Sequence, residues 1–314
     1  MKENDFDYDC YSELNLQRLM VADRPRTVAF ADAIFEATQQ GNRVIDAGAG
    51  TGLLAMLAAR AGAGRVHALE RASIARYAEQ LVKANRLGDT VEVIRKNAAD
   101  YQAPEPVDLI VSEWLGHFAF TEAMVQKVMA CRDKNLRPGG KMLPARVDLL
   151  LAPVESEALY IDEGPGFWDI KIRDIDFSSL EEAELNQAFG IKTMVQEEDL
   201  LAAGQPMVSV DMVHAQPDDL WAKGTLVFQA QRAGSFHGFA GWFFAQLSDS
   251  YALDTAPGAP LTHWRQTYFP FHPRAVEAQE EICVEYKLAQ HPVEPTSVEL
   301  TLQVDDEELV FTVN

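Results

Sequence analysis

The stretch RVIDAGAGTGLLAMLAAR, residues 43 to 60, decides the fold of this chain. It begins as an apolar strand and ends as a helix, and Gly48, Gly50 and Gly52 lie between the two. Glycines in such a turn let the backbone approach a ligand closely. The dinucleotide fingerprint GxGxxG would need a glycine in place of Leu53, so the turn predicts a different nucleoside ligand.

The alternation of strand and helix continues after this stretch. RVHALE, TVEVIRK and PVDLIVSE read as strands, and IARYAEQLVKANRLG reads as a helix. Strands that alternate with helices predict a parallel, Rossmann-like sheet covered on both faces. Before the stretch, residues 12 to 40 have apolar residues at helical spacing, interrupted by Pro25, which predicts two short helices.

The pattern of apolar residues along the chain changes near Pro144. Short apolar runs separated by turns, such as PMVSVDMV, HGFAGWFFAQ and VELTLQV, predict antiparallel strands. Residues 166 to 204 are rich in charge and helix formers and lack strand alternation, so they read as an insertion. The predicted units are residues 1–40, residues 41–144 and residues 145–314.

Composition excludes several classes of protein. The chain has 314 residues, 47% of them hydrophobic, and a formal net charge of -21, which repels nucleic acid and anionic membranes. We find no signal peptide and no run of about 18 apolar residues, so we expect a cytoplasmic protein. The three cysteines lie far apart, so we expect them to pack in the core and predict neither a disulfide nor a metal site.

Two acidic positions flank the glycine turn. Asp46 precedes it, and Glu70 ends the next strand, 24 residues later, where an acid typically accepts hydrogen bonds from ribose hydroxyls. Asp46, the glycines and Glu70 together are typical of S-adenosylmethionine methyltransferases. The sequence therefore predicts S-adenosyl-L-methionine as the cofactor.

A second stretch, SEWLGHFAFTEAM at residues 112 to 124, contains two acids among apolar residues. Glu113 and Glu122 are nine positions apart and would point to opposite faces of a helix or strand. They converge only if the chain folds back, and Gly116 supplies a bend. Because an ionised acid in apolar surroundings is costly unless it is paired, the stretch predicts a cationic ligand.

These two stretches, with LTHWRQTYF at residues 261 to 269, resemble the protein arginine methyltransferases, whose double-glutamate and Thr-His-Trp loops have this order. The resemblance runs from about Tyr8 to the end of the chain. It implies an α/β fold in which a Rossmann-like S-adenosylmethionine methyltransferase domain is followed by an antiparallel β-barrel domain. Residues 166 to 204 match the family's helical dimerisation arm, which implies a homodimer, and residues 1–40 match helices that close over the cofactor.

The resemblance also implies a reaction. The family transfers methyl groups to a guanidinium nitrogen of arginine in a protein or peptide, giving monomethyl and, in the type I members, asymmetric dimethyl products. Free L-arginine or a small guanidino metabolite is an alternative substrate. A non-catalytic cofactor-binding protein is a remote alternative, which the presence of both glutamates disfavours.

The family's motifs assign roles to individual residues. Glu113 and Glu122 hold the guanidinium, and His263 pairs with Asp23, either as a proton relay or to orient the loop. The assigned cofactor-binding residues are Arg26, which holds the cofactor carboxylate, Asp46, Gly48, Gly50, Gly52, Glu70, Tyr8 and Ala98. The assigned substrate-binding residues are Tyr11, Met20, Trp114, His117, Met124 and Trp264.

Four positions depart from the family's pattern. Asp7 stands where an aromatic residue is usual, Gln17 where a histidine is usual, His117 where a tyrosine is usual, and Ala99 where an acid reads adenine. These departures bear on cofactor affinity and substrate choice more than on the type of reaction.

Overall fold

The computed structural model describes residues 12–187 and 189–314. Three residues named from the sequence, Asp7, Tyr8 and Tyr11, and the first of the three cysteines, Cys10, lie outside the described residues.

Two helices precede the first sheet, as predicted. They are α1 (Leu14–Ala22) and α2 (Arg24–Ala37). The side chain of Asp23 accepts the Arg26 N–H at 3.1 Å, and Pro25 lies in the first turn of α2. Because proline has no N–H to lose there, it starts the second helix at the break that the sequence indicated.

A five-stranded parallel sheet forms the centre of the N-terminal half. Its strands are β1 (Arg43–Ala47), β2 (Arg65–Leu69), β3 (Val91–Ile94), β4 (Val107–Val111) and β5 (Leu136–Leu143), in the order β3-β2-β1-β4-β5. The connecting helices are α3 (Leu53–Arg60), α4 (Ala75–Ala84) and α5 (Val125–Asn135). β1 lies between β2 and β4, so the carboxyl ends of these three strands meet at one edge, where ligands bind in such sheets.

The C-terminal half consists of antiparallel sheets, as predicted. The first sheet contains β6 (Arg146–Val154), β9 (Ile191–Thr193), β10 (Gln205–Asp211), β12 (Gly234–Gln246), β13 (Ala252–Asp254) and β14 (Gln266–Val276). The second contains β11 (Ala222–Gln229), β15 (Glu281–Gln290), β16 (Val298–Val304) and β17 (Glu307–Val313). Phe311 of β17 packs on Phe269 and Phe271 of β14, so the two sheets share one apolar interior.

The segment of residues 166 to 204 contains more strand than the sequence indicated. It follows α6 (Glu157–Asp162) and includes β7 (Lys171–Ile172), β8 (Ile175–Asp176) and α7 (Ser179–Leu185), while β9 joins the first antiparallel sheet. The β7–β8 turn places Arg173 and Asp174 at positive φ, 47° and 66°. Hairpin turns of this kind usually carry Asn-Gly, so Arg-Asp gave no turn signal in the sequence.

Large apolar side chains of this segment face water in the single chain. The exposed ones are Phe167, Ile172, Ile175, Leu180, Phe189 and Met194. So many large apolar side chains exposed along one segment are unusual on a monomer.

The two cysteines within the described residues differ in exposure. Cys131 is buried, but Cys283 is exposed on β15, so the expectation that the cysteines pack in the core is wrong for Cys283. Residues of β15 point alternately outward and inward, and Cys283 is one of the outward residues.

None of the helices within residues 12–187 and 189–314 has the length and apolar character needed to cross a membrane.

Candidate active site

The glycine turn, defined here as residues 48 to 52, connects β1 to α3. Gly48, Gly50 and Gly52 have φ of 80°, 53° and 77°, a region that other residues enter at a cost. A Cβ added at Gly48 would lie 2.7 Å from Cε of Met124. The turn therefore requires glycine for its backbone conformation.

The two acids near the turn have different surroundings. Glu70 accepts the N–H of Gly50 at 2.9 Å with Oε2 and the N–H of Ala72 at 2.7 Å with Oε1. A carboxylate has further lone pairs, so Glu70 can accept additional hydroxyl donors beside the turn.

Asp46, by contrast, is fully buried. Its Oδ2 accepts the Ala55 N–H at 2.8 Å, whereas its Oδ1 is buried with no hydrogen-bond partner among the described residues. Burial raises the pKa of Asp46 to about 7, with the Ala55 hydrogen bond opposing and the nearby Glu70 adding to the rise. Asp46 thus fixes the start of α3 from beneath the turn.

Other assigned cofactor-site residues surround the turn. A Cβ on Gly50 would lie 3.2 Å from Oε1 of Gln17, so the residue that replaces the usual histidine lies directly on the turn. Ala98 is buried at the start of a short 3-10 turn, Ala98–Asp100, between β3 and β4. Met20 lies in α1, and its carbonyl accepts Nη1 of Arg26 at 3.1 Å.

The double-glutamate loop, defined here as residues 112 to 124, follows β4. The chain folds back where the bend was expected, with reciprocal hydrogen bonds of 3.0 and 3.1 Å between Gly116 and Ala119. Ala119, Glu122 and Ala123 have positive φ of 52°, 79° and 53°. Non-glycine residues held in this region are strained, and such strain concentrates at functional sites.

Glu122 is fixed from outside its own domain. Its N–H donates to the carbonyl of Thr296, in the connection between β15 and β16, at 2.6 Å. This contact helps hold Glu122 at its positive φ. No motif in the sequence singled out Thr296, because a main-chain acceptor leaves no side-chain signal.

Glu113 forms an ion pair with Arg26. Oε2 of Glu113 accepts Nε of Arg26 at 3.0 Å and Nη2 at 2.5 Å, while its Oε1 accepts the N–H of Leu115 at 2.9 Å. Both side chains are 10% exposed. The sequence assigned Arg26 to the cofactor and Glu113 to the substrate, and the structure brings the two together, a contact that no sequence spacing indicated.

The expected pairing of His263 with Asp23 is present. Oδ2 of Asp23 lies 2.6 Å from Nδ1 of His263 and accepts the His263 N–H at 2.8 Å. Burial acts to raise the pKa of Asp23, but the hydrogen bonds from His263 and from the Arg26 N–H outweigh it and lower the pKa. Asp23 is therefore a carboxylate that caps α2 and holds the Thr-His-Trp loop.

Trp264 connects this loop to the double-glutamate loop. Its Nε1 donates to the Leu115 carbonyl at 2.6 Å, and the guanidinium carbon of Arg26 lies 5.9 Å from the centre of its ring. The buried indole thus lies behind the Arg26–Glu113 pair, where it can position both loops.

The two remaining assigned substrate residues lie in the double-glutamate loop. Trp114 is 2% exposed and stacks on Phe120, with ring centres 6.2 Å apart, so it supports the loop from the interior. His117, at the fold-back, is partly buried. Burial first, and then Lys192, lower the pKa of His117 to about 4, so this imidazole is neutral at neutral pH.

Within the described ranges, no group of three or more histidine, cysteine or acidic side chains could hold a metal ion.

Comparison with known proteins agrees with this arrangement. A family model described as the arginine methyltransferase oligomerization subdomain matches residues 145–307, and one described as a methyltransferase domain matches residues 44–140. Protein arginine N-methyltransferase 6 of Xenopus tropicalis is 33% identical over 313 residues, covering 96% of this chain and 91% of that protein. Protein arginine N-methyltransferase 1 of Schizosaccharomyces pombe is 32% identical over 277 residues, covering 85% and 79%.

Solved structures show the same fold. The Trypanosoma brucei PRMT1 enzyme-prozyme heterotetrameric complex with AdoHcy is similar to this chain with a TM-score of 0.90 and 28% identity, covering 98% of this chain and all of that one. The fold, the glycine turn and these relationships define an S-adenosylmethionine-dependent methyltransferase. More particularly, the chain belongs to the protein arginine N-methyltransferase family.

Proposed function

We propose that this enzyme transfers methyl groups from S-adenosylmethionine to arginine side chains of proteins or peptides, with Glu113 and Glu122 holding the guanidinium. The observation that carries the proposal is the pairing of Glu113 with Arg26, because Arg26 is a guanidinium that Glu113 binds in a buried setting. A substrate guanidinium presents the same planar fork to a carboxylate.

The glycine turn and Glu70 fit the cofactor, since a turn without Cβ atoms lies beside a carboxylate that can still accept hydroxyl donors. Glu70 would hold the ribose and Arg26 the carboxylate, with Gln17 and Met124 against the turn. The bound cofactor supplies an electrophilic methyl group on its sulfonium. Tyr8 and Ala98 remain proposed contacts of the same ligand.

Glu113 and Glu122 would activate the acceptor by drawing positive charge toward the nitrogens that they contact. The third nitrogen then keeps more lone-pair density for attack on the methyl group. Arg26 and the Leu115 N–H fix the Glu113 carboxylate before substrate arrives, and Thr296 fixes the Glu122 backbone. Such preorganised charges contribute more than charges that must rearrange during reaction.

His263 and Asp23 would orient the Thr-His-Trp loop, and His263 would also accept the proton that the methylated guanidinium releases. Nδ1 of His263 lies on the Asp23 carboxylate, so the other ring nitrogen, Nε2, is the one that remains for a proton. Trp264, Tyr11, Met20 and His117 are proposed to line the acceptor pocket.

We propose monomethylarginine as the first product and asymmetric dimethylarginine as the second. Met20 and Met124 match the methionines that line this pocket in type I members, and Met124 lies against Gly48 of the turn. The flexible thioethers leave room for an already methylated nitrogen next to the methyl donor.

The test of this activity uses isotopically methyl-labelled S-adenosylmethionine, an arginine-containing peptide, its Arg-to-Lys counterpart and free L-arginine. Mass spectrometry should find label on arginine of the first peptide only, and the dimethylated product should lose dimethylamine on fragmentation. Label on free arginine alone would show that the substrate is the small-molecule alternative and not a protein or peptide. Loss of monomethylamine would indicate symmetric product and contradict the assignment.

The matched oligomerization subdomain is consistent with an assembly, and we propose a homodimer in which residues 166 to 204 pack on the partner's nucleotide-binding domain. Packing against a partner subunit would bury the exposed apolar side chains of that segment. Ile175→Glu should give a monomer by light scattering at micromolar concentration, whereas Val293→Glu, at an exposed position outside the segment, should not. A monomeric wild type would contradict the proposal.

A cytoplasmic location remains a prediction from the sequence.

A further inference from the structure

The β15–β16 connection, defined here as residues 291 to 297, contacts the double-glutamate loop. Its Thr296 carbonyl accepts the N–H of Glu122 at 2.6 Å. Glu122 has a φ of 79° and a ψ of -3°, a conformation that a residue with a side chain keeps only where its surroundings hold it. A main-chain carbonyl of the C-terminal half therefore helps to fix the backbone of a glutamate that we propose to bind the substrate.

The carbonyls on either side of Thr296 also accept hydrogen bonds. The Pro295 carbonyl accepts Nε2 of Gln290 at 3.3 Å, and the Ser297 carbonyl accepts the N–H of His291 at 3.1 Å. Ser297 is 3% exposed, so this end of the connection is anchored in the interior. Because both of its neighbours are held, the connection itself sets the direction of the Thr296 carbonyl.

The side chain of His291 holds the connection together from its first position. Its Nδ1 accepts the N–H of Glu294 at 3.0 Å and the N–H of Val293 at 3.3 Å. The Glu294 carbonyl in turn accepts the Ser297 N–H at 3.0 Å. A ring nitrogen that accepts N–H groups carries no proton, so His291 acts here as an acceptor, a role that an amide oxygen can also fill.

The connection lies on the surface, with residues 292 to 295 exposed. Loss of one side-chain contact there should cost little global stability, because exposed residues bury little apolar surface. A displacement of the Thr296 carbonyl, however, is passed directly to Glu122, and catalysis is sensitive to small errors in the placement of the groups that hold the substrate. The side chain of His291 therefore matters more for turnover than for folding.

We propose that His291 is a positioning residue for the methyl transfer. By accepting N–H groups of the β15–β16 connection it fixes the Thr296 carbonyl, which holds Glu122 in the conformation that binds the substrate guanidinium. The inference rests on the proposed function and adds to it a residue from outside the three sequence motifs. Because His291 acts through Glu122, its removal should lower kcat and leave cofactor binding unchanged.

The experiment compares His291→Ala, which removes the acceptor, with His291→Asn, whose amide oxygen can replace Nδ1. His214→Ala, at an exposed histidine of the C-terminal half, is the control. Initial rates with an arginine-containing peptide and S-adenosylmethionine give kcat and KM, and calorimetry gives the cofactor Kd. Hydrogen exchange followed by mass spectrometry measures the protection of the proteolytic fragment that contains Glu122 in each variant.

His291→Ala should lower kcat about tenfold and speed exchange at the Glu122 amide, with KM and the cofactor Kd within about twofold of the wild type. His291→Asn should recover most of the lost kcat, and His214→Ala should resemble the wild type. Equal losses in the alanine and asparagine variants would overturn the inference. A wild-type kcat in His291→Ala, or a lower kcat without faster exchange, would overturn it as well.

A double-mutant cycle tests whether His291 acts through Glu122. In the Glu122→Gln background, adding His291→Ala should lower kcat by less than about twofold, because the charge that His291 positions is already gone. Losses that simply add would show that His291 acts by another route, and the inference would be wrong.

The inference and the proposed function fail in different ways. If the wild type methylates no arginine-containing peptide, the proposed function is wrong, and hydrogen exchange still decides whether His291 holds the Glu122 amide. If the wild type is active and His291→Ala changes neither kcat nor exchange, the function stands and the positioning role is wrong.

Discussion

The glycine turn and the double-glutamate loop both follow strands of one parallel sheet, yet they are held in place by different means. The turn reaches positive φ at glycines, and its hydrogen bonds come from residues close by, such as Glu70. The loop reaches positive φ at Ala119, Glu122 and Ala123, and its contacts come from α2, the Thr-His-Trp loop and the β15–β16 connection. The glycine turn is thus specified locally, whereas the double-glutamate loop depends on distant parts of the chain.

This difference assigns separate consequences to changes in the two regions. A change at Glu122 should reduce turnover and leave cofactor binding nearly intact, because Glu122 does not belong to the turn. A change at Glu113 should also weaken cofactor binding, because Glu113 holds Arg26, which we propose to bind the cofactor carboxylate. A change in the turn should weaken cofactor binding first. Predictions that separate the two effects test the comparison directly.

The largest effect is expected for Glu113→Gln and Glu122→Gln. Each removes a charge that we propose to strengthen in the transition state, so kcat should fall by a factor of about 100 or more, roughly 3 kcal/mol. The cofactor Kd, measured by calorimetry, should stay within a few-fold for Glu122→Gln and rise more for Glu113→Gln, which releases Arg26. Glu285→Gln, on exposed β15, is the matched control. More than a tenth of wild-type activity in either loop variant would contradict the mechanism.

The second effect concerns the glycine turn. Gly48→Ala forces a Cβ into positive φ and within 2.7 Å of Cε of Met124, so the cofactor Kd should rise about tenfold, the strain being on the order of 1–2 kcal/mol. Gly88→Ala is the control, because a Cβ there meets nothing within 4 Å. If Gly48→Ala lowered kcat at saturating cofactor while leaving the Kd unchanged, the division between the two regions would be wrong.

The third effect concerns Asp23, which joins the start of α2 to the Thr-His-Trp loop. Asp23→Asn keeps the shape of the side chain but removes the charge that His263 contacts, so kcat should fall roughly tenfold, as expected when a charge-assisted hydrogen bond of about 1.4 kcal/mol is lost. The pH profile of kcat should also shift, which a purely structural defect would not cause. Asp32→Asn, at an exposed position in α2, should change neither kcat nor its pH profile.

The same contrast explains how much the sequence could predict. Strand, turn and helix around Gly48 follow from periodicity and glycine spacing, because the causes lie within a few residues. The fold-back at Gly116 was also readable, since nine positions cannot otherwise bring two acids together. The Arg26–Glu113 pair and the Thr296 carbonyl were not, because they join residues 87 or more positions apart through tertiary packing.

The smallest effect tests whether the segment of residues 166 to 204 is also held by distant contacts. Nδ1 of His272, on β14, lies 2.7 Å from Oε1 of Glu307 on β17, and its Nε2 lies 3.3 Å from Oε2 of Glu182 on α7. Glu181, also on α7, accepts the hydroxyl of Tyr160 at 2.8 Å. Three carboxylates, from α7 and β17, thus surround one imidazole.

Burial acts to lower the pKa of His272, but the hydrogen bond to Glu307 and the charges of Glu307, Glu182 and Glu181 raise it above its ordinary value of 6.5. Protonated His272 therefore stabilises the docked α7 fully below pH 6.5, and this stabilisation is lost as the pH rises through the elevated pKa. The side chain is half exposed, so the effect should stay below about 1 kcal/mol.

Hydrogen exchange in α7 should be slower at pH 6 than at pH 8.5, after correction for intrinsic rates. His272→Gln should abolish that difference and His214→Gln, at an exposed ion pair with Asp211, should not. A difference that survives in His272→Gln would show that α7 docks without this histidine.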